Sequence, residues 1–247
     1  PWGRVPATAR PFNSAGGTKE NIHREQVSYV VYTPETNQWG PLRTLVMPTE
    51  DHAGRPMIAP NAGCHQRVDL PDGDILLPIR YQTSTAERIY TSIVARCRFD
   101  GETLTYVEHG SEHAIPTGRG LYEPSLTEFA GRFYLTLRAD DGAYVAAGSD
   151  GIRFEEQIPW RFDDGELLGS YNTQQHWVTL GGRLYLVYTR KGANNDHIMR
   201  HRAPLFIAQV DPERLCVIRE TEQVLVPERG ATLGNFGAAA MTSVESW

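Results

Sequence analysis

The sequence predicts an all-β chain folded as a β-propeller of four-stranded antiparallel blades, and three observations carry that expectation. The first is the stretch GLYEPSLTEFAGRFYLTLRADDGAYVAAGSDGIRF, Gly120 to Phe154, which reads as strands at Tyr122 to Phe129, Arg132 to Arg138 and Ala143 to Ala147, then a fourth. Alternating aromatic or β-branched residues bounded by Gly and Asp are the signature of strands, and four in succession with no helical interval describe one blade. The second is recurrence. Aligned on their first hairpins, three such units carry turn glycines at Gly73, Gly131 and Gly182, separated by 58 and 51 residues, the spacing of propeller blades. The third is composition: 40% hydrophobic and 10% aromatic residues with 23 Gly and 16 Pro suit a turn-rich β protein with a sizeable core.

Taken in order, Pro1 to Arg24 is rich in Pro, Gly, Ser and Asn and reads as a long loop. VSYVVYT (Val27 to Thr33) and Leu42 to Met47, joined across a Pro/Asn turn, read as the outer two strands of a first blade. A loop from Pro48 to Gly63 carries Asp51, His52 and Arg55. The second unit runs through CHQRVDLPDGDILLPIRY, IYTSIVARCRF and TLTYVEH, and the third is the unit at Gly120. The fourth comprises QQHWVTLGGRLYLVYTR, the polar loop RKGANNDHIMRHR, APLFIAQVD and LCVIRE, after which the chain enters the inner strand of a fifth. With no initiator Met at Pro1 and no closing turn after NFGAAAMTSVESW, residues 1–247 read as one domain. It shows about four blades of a parent with five to seven, incomplete at both ends.

A net charge of −6 gives a nucleic-acid role no electrostatic support, and no run of about 18 apolar residues marks a membrane span. Cys64, Cys97 and Cys216 are odd in number and lack metal-ligand spacing, so they read as free thiols. No metal ligand set and no cofactor are expected; oligomeric state and compartment are left open.

The repeat has a geometric consequence. In a hairpin the start of the first strand and the end of the second lie at one edge, opposite the turn. The starts are His65-Gln66, Tyr122-Glu123, Gln175-His176 and Asn235-Phe236; the ends are Arg80, Arg138 and Arg190. In a propeller the first strand of each blade lines the axis, so all should converge on one face. Three guanidinium groups around a shared pocket match a carboxylate and stay charged at any working pH, so the implied partner is an acidic oligosaccharide or polysaccharide. His65 and His176 occupy matching positions suited to proton transfer. Tyr122 can serve as nucleophile or acid/base, and Glu123 as acid or base, although adjacent residues of a regular strand face opposite ways. His197, Arg200, His201 and Arg202, on the polar loop, are candidates to wall the pocket, His197 and Arg200 ahead of the other two.

SDGIRF (Ser149 to Phe154) resembles an Asp-box, the turn joining third and fourth strands of sialidase-type blades, with one spacer residue missing. Together with the four-strand repeat, YEPSL and the three strand-end arginines, it gives the chain a likeness to the sialidase-like superfamily of carbohydrate-active propellers. That resemblance implies an exo-acting glycoside hydrolase in which an arginine triad (Arg80, Arg138, Arg190) grips the sugar carboxylate and Tyr122, assisted by Glu123, attacks the anomeric carbon. Propeller enzymes that cleave uronate polysaccharides by β-elimination are also similar, with His65 or His176 as the base. A propeller that binds sugar without cleaving it is the third reading.

Overall fold

In the computed structural model, residues 4–9, 26–242 and 245–246 are described. Blade 1 holds β1 (Val5–Ala9), β2 (Ser28–Thr33), β3 (Gln38–Trp39) and β4 (Arg43–Thr44), with β3 and β4 both paired to β2. Blade 2 holds β5 (Ile58–Asn61), β6 (Val68–Asp69), β7 (Asp74–Gln82), β8 (Tyr90–Phe99) and β9 (Leu104–His109). Blade 3 is β10 (Tyr122–Phe129), β11 (Arg132–Arg138), β12 (Ala143–Gly148) and β13 (Ile158–Pro159), paired in that order. Blade 4 holds β14 (His176–Leu180), β15 (Arg183–Tyr188), β16 (Leu205–Asp211), β17 (Cys216–Val217) and β18 (Gln223–Val226); β19 (Ala240–Thr242) and β20 (Glu245–Ser246) form a last hairpin. The strands pair antiparallel throughout, as the sequence pattern predicts.

Two expectations about strands are corrected. A strand, β1, lies within the supposed loop from Pro1 to Arg24, most of which falls outside the described residues, and it makes β2 an interior strand. In blade 2 the first strand is broken: β5 and β6 both pair with β7, and the chain between them bulges out of the sheet. Asn61, not His65 or Gln66, therefore stands opposite Arg80.

The three hairpin glycines do occupy turns with positive φ, 88° at Gly73, 77° at Gly131 and 71° at Gly182. In the two tightest hairpins the preceding residue, Ala130 or Gly181, is also left-handed, the conformation whose twist matches the strands it joins.

The core lies between blades rather than within one. On β7, Ile75, Leu77, Ile79 and Tyr81 pack with Val27, Tyr29, Val31 and Leu45 of the preceding blade, while Leu76 faces Leu126, Leu135 and Leu137 of the next. A strand buried on both faces needs apolar residues at consecutive positions, which is why DILLPIRY lacks the alternation of a half-solvated strand. Between blades 3 and 4, Tyr134, Val145, Trp160, Trp177 and Leu186 form the equivalent layer. Trp177 donates its indole N–H to the Ser125 carbonyl at 2.9 Å, so the largest buried ring is also satisfied.

The SDGIRF turn sits between β12 and β13. Asp150 Oδ1 accepts the main-chain N–H groups of Ile152 (3.1 Å) and Arg153 (2.7 Å), and Ile152 is buried. Gly151 has φ +80°, and a Cβ there would lie 2.3 Å from Leu76 Cδ1 of blade 2. Its role is a structural clamp between blades.

Candidate active site at the strand ends of blade 3

Tyr122 and Arg138 are register partners, so the edge opposite the Gly131 turn carries both, as the hairpin argument requires. Immediately after Tyr122 the ladder slips, and Glu123 has φ +46°. This irregularity removes the strand alternation and brings both neighbours to the same guanidinium: Glu123 forms an ion pair with Arg138, whose Cζ also lies 4.8 Å from the centre of the Tyr122 ring. Arg80 covers the Tyr90 ring at 4.3 Å, and Tyr90 leans on Tyr122 at 5.5 Å. Two of the three expected arginines thus meet through an aromatic stack.

The third does not join them. Arg190 lies beyond the end of β15 and its guanidinium is held by Glu222, with Nε–Oε2 2.7 Å and Nη2–Oε1 2.6 Å, over the Phe206 ring. Unlike the other two hairpins, this one places its Arg past the last paired residue, and the side chain closes blade 4 against the segment before β18.

In its place the fold supplies Arg119 and Arg202. Arg119, in the loop before β10, donates to Asp140 Oδ1 (2.6 Å), the Tyr122 hydroxyl (2.6 Å) and Asn172 Oδ1 (2.9 Å). Arg138 donates to the same Asn172 oxygen at 2.5 Å, and Arg202 to the Asn172 carbonyl at 3.2 Å. Asn172, at φ +48° on the loop entering β14, is therefore the hub of three guanidinium groups. Arg119, Arg138 and Arg202 face two carboxylates, Glu123 and Asp140, which leaves one positive charge in excess. The buried Nε of Arg202 makes no hydrogen bond among the described residues. Burial first, and then the nearby Arg138 and Arg200, lower the proton affinity of Arg202.

The carboxylate on the phenol is Asp140, not Glu123. Tyr122 donates to Asp140 Oδ1 at 2.7 Å while accepting from Arg119. Arg119's hydrogen bonds hold Asp140 below the usual carboxylate range, and burial pushes the Tyr122 phenol above its ordinary value, so the resting pair is phenol and carboxylate.

The remaining expected residues serve elsewhere. Gln66 is a bolt across the axis: its main chain bonds Leu126 N–H (3.0 Å), its Nε2 donates to the carbonyls of Trp177 (2.9 Å) and Ala238 (2.8 Å), and its Oε1 accepts the Trp177 N–H at 2.6 Å. A cavity of about 410 Å3 lined by Gln66, Arg67, Thr127 and Thr179 lies on the turn side of this bolt, without Tyr122. His65 Nδ1 bonds the Pro78 carbonyl at 2.6 Å, and its Nε2 is sealed from solvent. Buried His176 bonds Ser125 Oγ at 2.9 Å and packs edge-on against Phe236. Burial lowers their pKa values to about 3 for His65 and about 4 for His176, so both rings are neutral structural groups. Gln175 is buried, with its Oε1 accepting from Thr136 at 3.3 Å. Asn235, His197 and Arg200 are exposed.

Sequence reasoning missed Arg119, Asp140 and Asn172 because all three lie on loops, outside the repeat used for alignment; Arg202 had entered only as one of four residues on the polar loop that could wall the pocket. The one available signal was RADDG after β11, a carboxylate pair directly following a strand-end Arg.

No family model and no curated protein matches the sequence. Solved structures do match. A sialidase of Trypanosoma rangeli, in complex with 2-keto-3-deoxy-D-glycero-D-galacto-2,3-difluoro-nononic acid, is similar with TM-score 0.55 at 16% identity, over 84% of this chain and 34% of its own. The fold is a β-propeller of the kind found in sialidases. It is shared by the GH32 β-fructofuranosidase BmSUC1 of Bombyx mori (TM-score 0.56, 14% identity, 90% of this chain and 47% of that one). A Dyadobacter fermentans protein of unknown function is similar as well (TM-score 0.57, 16% identity, 93% and 62%). This chain spans about a third of the sialidase and about half of the fructofuranosidase.

Proposed function

We propose that this chain carries the carboxylate-binding part of a glycoside hydrolase active site, sialidase-like in mechanism and acting on an acidic glycan. The observation that carries the reading is the convergence of Arg119, Arg138 and Arg202 on Asn172 beside Tyr122, with one positive charge in excess. A sugar carboxylate is the anion whose planar geometry suits such a fork, and the site's partial burial strengthens the attraction. The likeness in fold to a sialidase solved with a nononic acid supports the same class of ligand.

The chemistry follows from competition for Arg119. In the resting site that guanidinium serves both Asp140 and Tyr122. A substrate carboxylate that draws Arg119 away relieves Asp140 of the contact that depresses its pKa, and Asp140 becomes able to take the phenol proton. Tyr122 is then the nucleophile: its oxygen bonds the anomeric carbon as the glycosidic C–O bond breaks, and the aglycone oxygen leaves with a proton from water. A second water hydrolyses the tyrosyl-sugar bond and returns the phenol, the role a Tyr plays among the exceptions to two-carboxylate glycosidases. Glu123, paired with Arg138, orients the guanidinium. The elimination alternative draws no support from His65 and His176, since buried bases of such low pKa are weak acceptors for a carbon-bound proton.

The test is a panel of sialosides and uronate oligosaccharides, each paired with its carboxyl-reduced counterpart, assayed for reducing-sugar release and for an unsaturated product. Hydrolysis confined to a carboxylate-bearing substrate is expected. Equal handling of the reduced sugars, or an unsaturated product, would overturn the reading, and binding without release would leave a sugar-binding propeller.

A further inference from the structure

Outside the arginine cluster, the loop ahead of blade 2 and the end of β9 bring together two imidazoles and a carboxylate. The ligand atoms of His52, His109 and Glu112 all lie within 4.8 Å of one another. His109 Nε2 is 3.4 Å from Glu112 Oε1, and His52 Nδ1 is 3.8 Å from the same oxygen. Zinc bound tetrahedrally at about 2.0–2.2 Å sets its ligand atoms about 3.4 Å apart, so the His109–Glu112 separation already suits the ion and the His52 ring stands slightly outside it.

The surroundings hold these groups in place. Tyr106 Oη meets His109 Nδ1 at 2.7 Å, which directs Nε2 toward Glu112, the outer-shell arrangement that orients a metal-binding imidazole. With the proton on Nδ1, the Nε2 lone pair faces a carboxylate oxygen, a pairing that a cation completes. Glu112 gives its Oε2 to Arg55 at 2.8 Å and keeps Oε1 toward the histidines, where it also accepts the His52 main-chain N–H at 2.8 Å. Buried Asp51 neutralises Arg55 at 2.8 Å, accepts the main-chain N–H groups of Ala53 and Arg55 and takes the Tyr81 hydroxyl, so the loop carrying His52 is pinned. The local balance of Asp51, Arg55 and Glu112 is one negative charge, favourable to a divalent cation.

We propose that His52, His109 and Glu112 bind one Zn2+ ion, which ties the 51–55 loop to the end of β9. Two nitrogen ligands and one oxygen suit zinc better than calcium or magnesium, and three protein ligands leave a fourth position for water. The two rings stack at 4.0 Å and 7°, so their lone pairs cannot both point at one ion until one ring tilts. The exposed His52 ring, 61% accessible, is free to do so. The inference uses none of the residues in the proposed hydrolase site and stands apart from that reading.

The experiment uses untagged, chelator-stripped protein, with Zn2+ followed by calorimetry and Co2+ by its visible absorption. One ion per chain, a Tm that rises with zinc, and at least tenfold weaker binding in His52→Ala and Glu112→Gln are expected. His52→Ala removes an exposed ring, so its metal-free Tm should equal that of the parent; Tyr106→Phe should weaken zinc roughly tenfold by releasing the His109 ring. No binding by the parent chain overturns the proposal, as does unchanged affinity in His52→Ala. Imidazole signals of His52 and His109 that answer pH but not zinc would likewise identify a protonation pair and overturn it.

Discussion

The Tyr122 hydroxyl donates to Asp140 at 2.7 Å, and Arg119 binds both partners. Under the proposed mechanism this triangle would couple a nucleophile, its base and an anion-binding cation, so occupation of one should alter the other two.

Tyr122→Phe and Asp140→Asn should each lower kcat by about a hundredfold or more, because they remove the attacking group or its proton acceptor. Glu123→Gln keeps the phenol–Asp140 pair and should change KM more than kcat. Steady-state kinetics on the substrate found in the panel checks this; loss of kcat with Glu123→Gln but not with Asp140→Asn would reverse the assignment.

Arg138 and Arg190 separate recognition from stability. Arg138→Ala should abolish binding of the acidic sugar. Arg190→Ala should leave binding intact but destabilise the fold by about 3 kcal/mol, since Glu222 is left part-buried without its partner. Calorimetric titration and urea melts of both variants test the distinction.

Gln66→Leu strips partners from the Trp177 N–H and from the Trp177 and Ala238 carbonyls. With about 1–3 kcal/mol at stake for each stranded group, a loss of about 3 kcal/mol or more is expected. For a chain of this size that corresponds to a fall in Tm of roughly 10 °C, measurable by scanning calorimetry.

Acid should weaken the fold through His65 and His176. Both folded-state values lie below the ordinary 6.5, at about 3 and about 4, so from pH 6.5 downward the unfolded chain takes up protons that the native rings refuse. Stability therefore falls with falling pH across the window from 6.5 to about 4, by up to about 1.4 kcal/mol per pH unit for each ring. Replacing either by Gln should flatten that slope in urea melts taken across the window; an unchanged slope would place the titration elsewhere.

The blades were legible in the sequence because a strand's requirements are local. Gly131 and Gly182 sit where left-handed turns need them, and DILLPIRY is apolar at consecutive positions because both its faces are buried. A two-residue turn brings Tyr122 and Arg138 to within one residue of pairing, the slip at Glu123 supplying the last step. Period and turn chemistry carry that information within a few residues. The outcome for Arg80 and Arg138 followed from the same logic, while Arg190 departed because the partner that captured it, Glu222, is 32 residues away in the segment before β18.

What only the tertiary structure decided is the site itself. Arg119, Asp140, Asn172 and Arg202 come from four loops with no shared pattern, and their meeting depends on how blades 3 and 4 stack. Likewise the hairpin pattern marked His65, Gln66 and His176 as strand-start residues, but in blade 2 the break in the first strand puts Asn61 opposite Arg80. Whether a polar side chain at such a position faces substrate or bonds its neighbours depends on what opposes it. In this chain that is the main chain of Pro78 and Trp177 and the hydroxyl of Ser125. Strand position is set by backbone geometry encoded nearby, whereas the function of a buried polar group is set by long-range contacts that become defined only when the blades close on one another.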